Sequence, residues 1–83
     1  MQSYPVKLTA RQARLVSDAR EAGYTVFVTL HTVTMCTYTK RGAVRRGLVL
    51  YGCGTAYDLT VAPSHARGLR SFVDMRAILR LPE

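Results

Sequence analysis

Gly23 separates two kinds of sequence. Before it, Leu8, Leu15, Val16, Ala19 and Ala22 recur at the spacing of one face of a helix. After it, residues 24–39 are dense in Val, Thr, Phe and Tyr, which suit a pleated, half-buried surface. A strongly marked helix that gives way at once to strand formers points to an α+β domain. The helix is bounded at both ends. Thr9 is a good N-cap, Gln12 three residues later completes a capping box, and Gly23 supplies the stop. Arg11, Arg14, Asp18 and Glu21 line the outer face, with Arg14 and Asp18 spaced to pair.

The run over 24–39 changes phase. Tyr24, Val26, Val28 and Leu30 share one parity, whereas Val33 and Met35 fall on the other. Strict alternation puts these two sets on opposite sides of a strand, so a bulge near His31 and Thr32 is expected to restore the register. Lys40, Arg41 and Gly42 read as a turn, residues 44–51 as a second strand, and 56–61 as a third. Short connections favour an antiparallel meander. Ser64 is an acceptable N-cap for a second helix over 64–74, with Leu69, Phe72, Val73 and Ala77 facing a core. Residues 75–81 read either as more helix or as a short strand, because Met75, Ala77, Leu79 and Leu81 alternate with Arg76 and Arg80. Tyr4, Val6 and Leu8 allow a short edge strand at the other end, where Pro5 is tolerated. The expected fold is thus α+β: a three-stranded antiparallel meander with two flanking helices (α-β-β-β-α) and short terminal strands at most. That order is shared with double-stranded-RNA-binding domains and small RNA-cleaving toxins. No motif of either is matched, and element order alone licenses no function.

Eighty-three residues make a single small domain spanning 1–83. The apolar fraction of 48% is too high for a disordered tail. Residues 1–7 lack a basic segment followed by an apolar run, and no apolar stretch approaches the roughly 20 residues that cross a bilayer. The expectation is a soluble cytoplasmic protein with no membrane partner.

Charge carries the functional expectation. The net charge is +7, and residues 22–57 contain no acidic side chain. That stretch holds Lys40, Arg41, Arg45 and Arg46 around the expected hairpin tip, and Arg67 and Arg70 near the second helix are placed to extend the patch. Uncompensated cations on a projecting element suit phosphate contact, because binding releases counterions. No aromatic-interleaved sheet signature for base stacking is evident, nor a recognition-helix motif. Two partner classes fit: nucleic-acid phosphates, or an acidic protein surface blocked by a small inhibitor of the kind that phages encode. A homodimer through an exposed strand edge is a third arrangement that fits the β-rich run.

Chemistry is thinly represented. A hairpin closing at Arg41 and Gly42 makes cross-strand partners sum to 83–84, which brings Cys53 near His31. A thiol beside an imidazole is a nucleophile pair in principle. With Cys36 and His65 it would be half of a zinc site, but the spacing matches no zinc pattern. His31 on a strand is the one residue that a ribonuclease-type toxin would use as its acid/base group. Gly52, Cys53 and Gly54 are followed by strand formers and not by a helix N-terminus, which excludes a phosphate-binding loop. No catalytic residue, metal site or cofactor is therefore expected, and the chain reads as a non-enzymatic binding protein.

Overall fold

The computed structural model describes residues 6–82. Helix α1 spans Ala10–Glu21, and strands β1 Thr25–Val28, β2 Thr32–Tyr38, β3 Val44–Tyr51 and β4 Ala56–Asp58 follow. A 3-10 turn at Pro63–His65 and helix α2 at Phe72–Ile78 complete the order. The sheet is an antiparallel meander in the order β1-β2-β3-β4.

Helix α1 forms as its sequence dictates. The Thr9 hydroxyl accepts from the Gln12 amide at 3.2 Å, and the Gln12 side chain accepts from the Thr9 amide at 2.8 Å. This capping box explains why Gln12 is buried among Leu15, Val16 and Ala19, whereas Ala22 of the expected stripe is exposed. Gly23, at φ +99°, ends the helix in a conformation that costs a larger residue strain.

The expected long first strand is two strands, so the sheet has four and not three. The chain reverses at Thr29–His31, where a bulge was expected. The Thr29 amide donates to the Thr32 carbonyl at 2.9 Å, and the Thr29 hydroxyl accepts from the Thr32 and His31 amides at 3.0 and 3.3 Å. A single Thr hydroxyl closes this turn without any Gly or Pro, which is why the sequence carries no turn signal there. The hairpin also resolves the phase change: Val26 faces Met35 and Val28 faces Val33, all on one side of the sheet. The bulge lies elsewhere. Thr37 pairs with Arg46 and Tyr38 with Val44, which leaves Arg45 as the extra residue. From Thr32 to Thr37 the β2–β3 partners sum to 83, as expected.

Both helices pack on one face. Val33, Met35, Leu48, Leu50 and Ala56 meet Leu15, Val16 and Ala19 of α1 and Met75 and Leu79 at α2 in a single core. Helix α2 begins eight residues after the expected start. Leu69 first forms an isolated bridge to Ala56 on the outer edge of β4, with N–H···O contacts of 2.8 and 2.7 Å, and that extended backbone excludes a helix at 64–71. The later start rotates the buried face to Phe72, Met75, Ile78 and Leu79, leaving Val73 and Ala77 exposed. Residues 75–81 are accordingly helix and then turn, not strand. Val6 is buried and Leu8 half-buried, but neither lies in a strand, and Tyr4 and Pro5 lie outside the described residues.

The two helices are tied by charge as well as packing. Arg76 on α2 donates to Asp18 on α1 at 2.6 Å and to the Pro82 carbonyl at 2.9 Å, and Arg11 lies over the Phe72 ring at 4.5 Å. The spacing-predicted Arg14–Asp18 pair is looser, at 3.9 Å with Arg14 largely solvated. Asp18→Ala is therefore expected to cost about 1–3 kcal/mol, because it strands a shielded guanidinium. Arg14→Ala should cost about 0.5 kcal/mol or less. Urea unfolding of the two variants measures the contrast.

Candidate nucleic-acid interface

The β2–β3 hairpin projects its cations on a braced loop. The Thr39 amide donates to the Ala43 carbonyl at 2.7 Å, and the Thr39 hydroxyl accepts from the Arg41 and Ala43 amides at 3.3 and 3.2 Å. The backbone of the tip thus satisfies itself, and the Lys40 and Arg41 side chains are left in water. Arg45 follows on the bulge, also exposed.

Arg46 shares the inward parity of Leu48 and Leu50 but lies past the end of the core. There it lines a hollow of about 310 Å³ with Arg45, Asp58, Thr60 and the α2 residues Ala77, Ile78 and Arg80. Arg67 lines an adjoining hollow that shares Asp58 and Ile78. Asp58 shares this hollow but forms no direct ion pair with these groups. Its carboxylate accepts from the Thr60 amide at 2.8 Å and the Thr60 hydroxyl at 2.7 Å, closing the turn that ends β4. The ion pairs among the described residues both use Asp18, and none involves Lys40, Arg41, Arg45, Arg46, Arg67 or Arg70. Five of the six expected residues thus run from the hairpin tip along the β3–β4 side, with Arg67 at the far margin. Arg70 is separate: its charge acts on Cys53, in the turn between β3 and β4. Arg80 joins the group through the late α2 start and the turn that follows it, a placement invisible in the linear pattern.

The second surface is the sheet face turned away from the helices. Alternation along each strand places Phe27, Thr34, Val49 and Tyr57 in one row across all four strands. Tyr51 flanks this row and meets Tyr57 edge-to-face, with ring centroids 5.8 Å apart. Phe27 is 48% exposed and Tyr51 39%. The aromatic platform missed in the sequence is therefore assembled from separate strands, with Phe27 from β1, Tyr51 from β3 and Tyr57 from β4. At one corner Leu59 closes over Gly47, where an added Cβ would stand 2.9 Å from its Cδ1 and 3.0 Å from the Cys36 Cβ. Cys36 is consequently buried, and its thiol is hydrogen-bonded with the Tyr38 hydroxyl at 3.3 Å; the Tyr38 pKa is raised, because the phenol can keep its proton in this bond and its anion would sit beside the sulfur.

Cys53 and His31 do come together. The Gly52 amide donates to the His31 carbonyl at 3.0 Å, and both residues line an open hollow with Val6, Lys7, Leu30 and Tyr51. His31 lies in the β1–β2 turn and not on a strand as expected. Cys36 is buried in the sheet, and among the described residues no three His, Cys, Asp or Glu side chains converge as a metal site would require. The Cys53 thiol is exposed, and its pKa is lowered by hydrogen bonds from the Thr55 amide and hydroxyl, with the charge of Arg70 adding to them. A lower pKa means more thiolate at a given pH. Cys53 should therefore alkylate with iodoacetamide at a lower midpoint pH than a free thiol, and Thr55→Ala should move that midpoint up. Cys36 should react only on unfolding, as mass spectrometry of the alkylated peptides would record.

No described helix is long and apolar enough to cross a membrane. Comparison with protein-family models, curated proteins and solved structures finds no match for this chain.

Proposed function

We propose that this protein is a small, non-enzymatic nucleic-acid-binding protein with a regulatory role in the cytoplasm. It grips phosphates through Lys40, Arg41, Arg45 and Arg46, with Arg67 and Arg80 at the margin and Arg70 as an outlying contact. The observation that supports this reading is that, among the described residues, no ion pair lies along the hairpin ridge: Asp58, the carboxylate that shares its hollow, accepts from Thr60 through Oδ1. Guanidinium groups held on a rigid bulged strand and left unpaired lose little in meeting phosphate oxygens. Such contacts position a nucleic acid without reading its sequence. Anisotropy measurements with mixed-sequence RNA and DNA at low salt test the reading, and a lack of binding to both eliminates it.

A different observation favours a second reading. The open sheet face and its margin expose Phe27, Leu59 and, at 71%, Leu30, with no charged residue in the Phe27–Tyr57 row. Apolar surface of this kind also suits burial against a protein, as an inhibitor of phage type would use it. Capture from a host lysate with and without nuclease separates the two. A partner retained after nuclease supports the inhibitor, whereas release of all captured material supports the nucleic-acid reading. Two copies joined along β1 would form one continuous sheet with the two ridges on its outer sides, an arrangement that sedimentation of the purified protein decides.

A further inference from the structure

We infer that the nucleic acid is single-stranded, with its bases stacked on the open sheet face across Phe27, Tyr51 and Tyr57; this rests on the phosphate-binding reading above. Both helices pack on the opposite face, which leaves Phe27 and Tyr51 exposed, while Tyr57 is half-buried with Gly68 beside its hydroxyl end. Phe27 and Tyr57 stand three strand spacings apart, about 14 Å. That span accommodates roughly two or three splayed bases, as other sheet platforms do. Thr34 and Val49 between them keep the floor low and uncharged.

Charge selects the occupant. Asp58 shares the parity of the helix-facing residues, and Asp18, Glu21 and Asp74 belong to the helices, so among the described residues no carboxylate belongs to the open face. Cations bracket it instead. Lys40, Arg41 and Arg45 stand at the hairpin end, and Arg70 acts at the turn just beyond Tyr51. From Arg45 to Tyr51 is about 20 Å along β3. The Phe27–Tyr57 row crosses β3 at Val49, between these two groups, so bases stacked along the row have cations on either side for their phosphates, the combination by which unpaired strands are held without sequence preference. A duplex keeps its bases stacked internally and offers nothing to the rings.

The test compares a labelled 12-nucleotide single strand, as RNA and as DNA, with the blunt duplex of the same sequence at low salt. Single strands should bind at least tenfold more tightly. They should also quench the tyrosine emission, which is unobscured because the chain has no tryptophan. The Phe27→Leu/Tyr57→Leu double variant, checked for folding by circular dichroism, should lose at least about 25-fold in single-strand affinity at unchanged duplex affinity. Tyr57→Phe, which keeps the ring, should retain single-strand binding. Equal affinities for single strand and duplex, unaffected by the leucine variant, would overturn the stacking inference and leave the phosphate reading intact. No binding of either form at low salt would remove both.

Discussion

The Arg41→Ala/Arg45→Ala/Arg46→Ala variant is expected to bind nucleic acid about 100-fold more weakly than the parent at low salt. The estimate takes roughly 1 kcal/mol for each exposed phosphate contact. None of these side chains has an ion-pair partner among the described residues, so their removal breaks no ion pair seen there. Arg41 and Arg45 are exposed, and Arg46 lines an open hollow, so circular dichroism and the thermal midpoint should be unchanged. The loss should be the same for all sequences, because phosphate contacts carry no base information. The salt slope should also fall by about two, near 0.7 for each contact removed from a single strand. A variant that binds one sequence normally and loses another would indicate base readout by these arginines, contrary to the proposal.

The second large effect is on folding. Leu50 is fully buried in the middle of the sheet, opposite Val33 on β2 and Ala56 on β4, both also fully buried. Leu50→Ala leaves a cavity that two neighbouring strands and the helix layer cannot collapse to fill, at a cost of about 2–5 kcal/mol. In a domain of this size that is a large share of a total near 5–15 kcal/mol. At about 4–8 °C per kcal/mol, the melting temperature should fall by more than about 10 °C. Calorimetry of parent and variant reads it directly. A change of only a degree or two would mean that this side chain is not in a close-packed interior.

The parts of this fold that could be read from the chain are those whose signals are local. Thr9, Gln12 and Gly23 bound α1 by hydrogen bonds and dihedral preferences within a few residues, and the structure keeps all three roles. The β2–β3 register followed from one turn position and strict period two, and it holds over six pairs. What failed depended on less visible chemistry. The β1–β2 reversal rests on one threonine hydroxyl, so residues 24–39 looked like a single strand with a fault in it. The α2 start depends on the distant Ala56–Leu69 bridge, which no helix periodicity can reveal. For the candidate site, the hairpin cations could be read because they are contiguous in sequence. Arg80 and the rings of Phe27, Tyr51 and Tyr57 could not, since four strands and a helix end must assemble before they become neighbours.

Everything functional here rests on the hairpin ridge meeting phosphate. The most direct measurement is the affinity for a mixed-sequence single strand as salt rises from about 50 to 200 mM. The seven cations named above predict a slope of log K against log salt steeper than about −3. A flat dependence, or no binding at the lowest salt, would contradict the proposal.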